Sequence, residues 1–168
     1  MVQHDHSLLA IRYSLDLRQR IVAEARGWIG TPYHHQASRK GVGCDCVGLV
    51  RGVWRAAIGP EPEVMPAYSG DWGAANGADS LLALGQRHFT PVDPEAMDAG
   101  DVVVFRMRGG RVAKHCGIVT SVVWAEARFI HAQEGVPVAE VALSPWWRQR
   151  IAGAFRFPEA NSEVANSE

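Results

Sequence analysis

"GVGCDCVGLVRGVW", residues 41–54, decides how the rest of the chain is read. Two cysteines, Cys44 and Cys46, stand two places apart in front of an apolar run. Leu49, Val50, Val53, Trp54, Ala57 and Ile58 recur at helical spacing. Asp45 has the side chain of an N-cap, and Gly59-Pro60 is a strong stop. The pattern predicts a helix that opens at Cys46. A thiol there meets backbone N–H groups without intrahelical partners and the positive end of the helix dipole, and both favour the thiolate. An ionised Asp45 works against that effect. Cys44 precedes the helix and gains none of it. Position therefore favours Cys46 as a nucleophile; the competing reading is that both thiols are small buried hydrophobes. Gly48 removes a side chain from the first turn, which permits close packing or close approach of a substrate.

On the N-terminal side, Ser14 can cap an earlier helix in which Leu17, Ile21, Val22, Ala25, Trp28 and Ile29 share a face, ended by Gly30 and Pro32. Residues 31–43 read as a loop. On the C-terminal side, residues 59–78 are rich in Gly and Pro and read as a long surface loop. "DSLLALGQRHF" predicts a short helix starting near Asp79, and "TPVDPEAMDAGD" a turn-rich connection. The texture then changes. "DVVVFRM", "KHCGIVTSVVW", "ARFIHA", "VPVAEVAL" and "GAFRF" are short strand candidates rich in β-branched and aromatic residues. Gly109-Gly110 has the composition of a hairpin tip between the first two. Helices first and strands after predict an α+β domain, with N-terminal helices packed on an antiparallel sheet. One domain is expected over 1–158, and the polar "ANSE"-repeating tail over 159–168 is expected to be disordered.

The 168 residues carry 17 basic and 18 acidic side chains, and this balance gives no electrostatic reason to expect nucleic-acid binding. No apolar run has the length of a membrane span. The first twenty residues lack the basic, apolar, small order of a secretion signal, so synthesis in the cytoplasm without a signal of its own is expected. Three cysteines, an odd number, argue for free thiols rather than a disulfide framework.

A nucleophilic cysteine needs a base. His115 opens "HCGIV", where strand alternation puts His115, Gly117 and Val119 on one face and Cys116 and Ile118 on the other. Cys116 is therefore expected to pack rather than react. His131 ends "RFIH". If these strands are antiparallel neighbours, the two imidazoles can meet across one face, one taking the thiol proton and the other orienting it. A strand histidine taken singly is more often structural, and His4, His6 and His88 are read as surface residues.

Taken together, "GTPYHHQ", "CDCVGLVRGVW", "AGDVVVF", "HCGIV" and "FIHA" resemble, in order and approximate spacing, the NlpC-type cell-wall peptidases, over roughly residues 15–157. The resemblance implies a papain-like fold and a thiol hydrolase that cuts the bond from γ-D-glutamate to a diamino acid in peptidoglycan stem peptides. It also implies roles: Cys46 as nucleophile, His115 as general base, His131 as orienting residue, Tyr33 beside the nucleophile, and Asp45 as an acidic residue that helps hold substrate. No metal or other cofactor is required. Two positions depart from the common pattern: Val47 stands where many members have Ser, and "HHQA" where many have Gly-Gly. The "CVGLV" stretch resembles peptidases of phage tails and gene transfer agents, which implies tail or baseplate partners and action on the wall in the periplasm. Two other readings compete. One is a metal site built from Cys44, Cys46, His115, Cys116 and His131, for which Cys-x-Cys is a tight fit. The other is a structural tail adaptor with little activity, in which His34-His35, the 59–78 loop or Trp146-Trp147 would make assembly contacts.

Overall fold

The computed structural model describes residues 5–70, 72, 79–107, 110–123 and 126–159, with side chains described from residue 11. Helix α1 runs Asp5–Arg26 and α2 Cys46–Ala57. Between them lie two-residue strands, β1 Ser38–Arg39 and β2 Gly43–Cys44, paired antiparallel. Helix α3 spans Ser80–His88. Strands β3 Thr90–Val92, β4 Val102–Arg106, β5 Ala113–Ser121, β6 Arg128–His131, β7 Ala139–Ala142 and β8 Ile151–Arg156 follow, with the single turn α4 Pro145–Arg148 before β8. β3 to β8 form one antiparallel sheet in the order β3-β8-β4-β5-β6-β7. The α+β architecture expected from the sequence is the one observed.

Both faces of this sheet are covered, which explains why β4 reads as a continuous apolar run instead of an alternating one. Val102, Val104, Cys116, Ile118, Ile130 and Phe155 face α1 and α2 and join Leu17, Ile21, Leu49 and Val53 in the larger core. Val103, Phe105, Val119, Phe129 and Ala154 point the other way, into a smaller core with Met97 and Leu143 and with Trp147 packed against it. The α2 helix sits close on its neighbours because its glycines allow it. A Cβ on Gly52 would lie 2.0 Å from the Trp28 ring. The buried carboxylate of Asp101, at the entry to β4, is held by Arg156 through two bonds of 2.9 Å and ties β8 to that turn.

Four local expectations are corrected. Ser14 is not a cap: α1 begins nine residues earlier, because the stretch from Asp5 is free of Gly and Pro and rich in good helix formers. That helix also ends at Arg26, so Trp28 and Ile29 lie in the turn beyond it; Trp28 is buried and Ile29 exposed. The "TPV" of the turn-rich connection is an edge strand, Thr90↔Arg156 to Val92↔Ala154, a place where a proline is tolerated. Residues 31–43 are not all loop, since they include β1 and the start of β2. Gly109 and the 160–168 part of the tail lie outside the described residues. Among the described residues no helix is long and apolar enough to cross a membrane.

Candidate active site

Cys46 is the first residue of α2, and Asp45 is its N-cap: the Asp45 Oδ1 accepts the Gly48 N–H at 2.7 Å. Gly48 serves close packing, because a Cβ there would fall 1.8 Å from the Ala37 carbonyl oxygen. The chain reaches this point through a short parallel bridge between Tyr33 and Cys44, in which the His34 N–H donates to the Cys44 carbonyl at 3.0 Å. Tyr33 and Cys46 are thereby brought to one cleft, of about 510 Å³, shared with Tyr68, His115, Gln133 and Trp147.

The two histidines come from neighbouring strands. β5 pairs with β6 through Ile118↔Ile130 and Val119↔Phe129, and the same register sets His131 opposite Gly117. Gly117 carries no side chain to obstruct that side of the sheet; a Cβ there would lie 2.7 Å from the Phe129 ring. The His131 ring thus reaches His115 diagonally, and a hydrogen bond of 2.8 Å joins His115 Nε2 to His131 Nδ1. This leaves Nδ1 of His115 available to Cys46, which lines the same cleft. His115 and His131 are buried. Trp147 closes over them, stacked on His115 at 5.5 Å and edge-on to His131 at 5.3 Å, with Phe105 and Phe129 completing the aromatic surround.

Electrostatics separates the thiols. Cys46 is held well below its ordinary value: the Cys116 thiol hydrogen-bonds to it, and His115 adds a hydrogen bond and positive charge, together outweighing burial and the nearby Asp45 carboxylate. Cys44 has no exposed surface, and burial, with the charges of Asp45 and Cys46, pushes it up to about 12. His131 is lowered to about 4, by burial first and then by the charge of His115, so it stays neutral beside an imidazolium. Burial, Asp45 and Cys46 raise Tyr33, which keeps its hydroxyl proton as a donor. The arrangement can hold a thiolate next to a protonated His115 whose second N–H is received by neutral His131.

The structure brings all five residues predicted from the sequence, Cys46, His115, His131, Tyr33 and Asp45, to one place. Cys116 packs as the sequence predicts. Alternation puts that side chain on the helix-side face, in the larger core, where it lines a cavity with Val47 and Val50 from the start of α2. Sequence reasoning missed the wall opposite. The Tyr68 hydroxyl donates to Asp45 Oδ2 at 2.7 Å, and the Gln36 N–H reaches the same oxygen at 2.7 Å. His35 Nδ1 stands 3.4 Å from it, and Trp72 stacks on Tyr68 at 4.4 Å. The signal for Tyr68 and Trp72 was two aromatics in a Gly- and Pro-rich loop. Trp147 was read only as an assembly contact; its packing on both imidazoles has no local signature. Among the described residues no three His, Cys, Asp or Glu side chains converge as metal ligands.

An antiparallel sheet whose strand histidine meets a helix-start cysteine is a papain-like α+β domain, and the chain's structural neighbours share it. The NlpC/P60 family model matches residues 30–156, and the chain belongs to that family. It is 30% identical over 138 residues to the gamma-DL-glutamyl hydrolase of Bacillus subtilis (strain 168), a match covering 82% of this chain and 29% of that protein. The chain thus spans about three tenths of that curated relative's length. Among solved structures, an NlpC/P60 family protein from Bacillus cereus ATCC 10987 superposes with a TM-score of 0.59 at 21% identity, over 83% of this chain and 40% of that one. The peptidoglycan hydrolase RipB of Mycobacterium tuberculosis gives 0.56 at 18% identity, over 87% and 67%. At these identities the superpositions speak to fold.

Proposed function

We propose that the chain is a cysteine endopeptidase that cuts peptidoglycan stem peptides between γ-D-glutamate and the diamino acid. The observation that carries this is the Cys46–His115–His131 relay on an open cleft, in a member of a family whose curated relative is a gamma-DL-glutamyl hydrolase. His115 takes the Cys46 proton, and the thiolate attacks the amide carbonyl. The Cys46 backbone N–H, unpaired at the helix start, and the Tyr33 hydroxyl are donors available to the oxyanion; each such donor contributes about 3 kcal/mol where measured. The amine leaves with a proton from His115, and a thioester remains. Water, deprotonated by His115, releases the acid. His131 stays neutral and keeps the ring of His115 oriented throughout. Asp45, Glu134 and Lys114 line the cleft with both signs of charge, which suits a substrate with free amino and carboxyl groups. Asp45 Oδ1 and Oδ2 already serve three protein donors, so its substrate contact uses the acceptor capacity left over.

The likeness of "CVGLV" to tail peptidases supports a finer reading, in which the enzyme opens the wall for a phage-like particle through contacts with tail or baseplate proteins. Purified sacculi and a stem tripeptide test the first reading: wild type releases muropeptides cut after γ-D-glutamate, and Cys46→Ala releases none. An active Cys46→Ala with an inactive Cys44→Ala reverses the assignment. Mass spectrometry of purified tail particles tests the finer reading, which fails if the chain is absent from them.

A further inference from the structure

The cleft has a feature that hydrolysis does not need. Two thiols approach each other at its floor: Cys46 opens α2, its neighbour Val47 lines the same apolar cavity as Cys116, and both cysteines belong to one core cluster. Their surroundings differ. Cys46 borders the open cleft, whereas Cys116 lines a separate apolar cavity of about 70 Å³ under α2 and α3. A small oxidant entering the cleft therefore reaches Cys46 first, and the cavity gives Cys116 room to shift. We propose that Cys116 is the resolving thiol for Cys46, so that a peroxide converts the nucleophile into a reversible Cys46–Cys116 disulfide. The site is one of covalent modification, and it rests on the reading of Cys46 as a ready thiolate.

The chemistry balances in two steps. The Cys46 thiolate attacks one peroxide oxygen and the O–O bond breaks; sulfur is oxidised by two electrons to a sulfenic acid, and the other oxygen leaves as hydroxide or alkoxide and takes up a proton. Cys116 then loses its proton and attacks the Cys46 sulfur. The S–O bond breaks and water leaves. No further oxidant is needed. The second step is helped by the first: Cys116 is held protonated chiefly by the thiolate it bonds, and that charge disappears once Cys46 is a neutral sulfenic acid. The sulfurs need to close to about 2.05 Å. Cys46 is the first residue of its helix, so rotation of its side chain crosses no preceding turn. Cys44 is no rival, being sealed with no exposed surface. Without a resolving thiol, a sulfenic acid proceeds to the sulfinic acid, which thiol reductants do not reverse.

The test treats the full chain with hydrogen peroxide, blocks free thiols, and digests with trypsin without reduction. Cleavage at Lys40, Arg51, Lys114 and Arg128 yields peptides 41–51 and 115–128. The expected result is a cross-link between these peptides through Cys46 and Cys116, about 2 Da lighter than the reduced pair, with Cys44 still alkylated. Dithiothreitol should remove it. In Cys116→Val, Cys46 should instead gain about 32 Da or more, and dithiothreitol should return it to the thiol in less than about a tenth of molecules. Sulfinic acid at Cys46 of the wild type without a cross-link overturns the proposal, as does a cross-link from Cys46 to Cys44. The readout is mass, so it does not depend on wall hydrolysis. A cross-linked protein inert on every stem peptide would sink the functional reading and leave this one standing, and an active enzyme that only over-oxidises would do the reverse.

Discussion

The two faces of β5 are built from different materials and do different work. Toward α1 and α2 the strand offers Cys116 and Ile118 to an aliphatic core that seats the helix and its first residue, Cys46. Toward α4 it offers His115 to a ring-lined compartment of Phe105, Phe129, His131 and Trp147. The aliphatic side sets where the sulfur stands; the aromatic side sets the orientation and protonation of the imidazoles. The faces meet at Cys46, and a strand's alternation lets one four-residue stretch, His115 to Ile118, serve both.

That comparison breaks most sharply at the thiols. Cys46→Ala should lower stem-peptide hydrolysis by about 10³-fold or more, whereas Cys44→Ala should leave activity per folded molecule close to wild type and cost about 1 kcal/mol of stability, as measured by hydrolysis and urea denaturation side by side. Gly48→Ala strikes the seat of α2 on the segment that leads into it. Its methyl group would meet the Ala37 carbonyl, so a loss of about 3 kcal/mol and a lower urea midpoint are expected.

Acidification probes the aromatic side. His131 has its folded value lowered from 6.5 to about 4, so the unfolded chain binds its proton first. This group's contribution is fully present above about pH 6.5 and is lost as pH falls toward 4, a span of about 3 kcal/mol at most. His131→Asn should flatten that part of a stability-against-pH curve. The smallest effect is expected at the lid of the compartment. Trp147→Phe keeps a ring but less cover, and about a tenfold fall in kcat is expected, with KM little changed and the acidic limb of the pH profile moved. A change in KM alone would make Trp147 a substrate contact and not a support for the imidazoles.

How much of this was legible follows the range of each signal. The α2 helix, its Asp45 cap and its Gly-Pro stop are written within sixteen residues, and β4 to β8 are marked by β-branched runs, so the fold and the residues that meet at Cys46 could be found locally. β3 was hidden by its Pro91, and the early start of α1 by residues 11–16, which are mostly exposed and follow propensity, not burial. The wall of Tyr68, His35 and Gln36 on Asp45 was hidden for another reason: its hydrogen bonds join residues 9 to 23 positions apart, outside any repeating pattern. The approach of Cys116 to the start of α2 crosses from strand to helix, and alternation alone pointed Cys116 to the correct face without saying what stood there.

The central claim is that Cys46 rests as a thiolate beside His115. Its iodoacetamide alkylation rate, followed by peptide mapping across pH in wild type and His115→Ala, tests this directly. Rapid labelling of Cys46 at neutral pH is expected, with a midpoint well below 9, a midpoint moved upward in His115→Ala, and Cys44 unlabelled in the folded protein. A wild-type midpoint at the ordinary thiol value, unmoved by loss of His115, would contradict it.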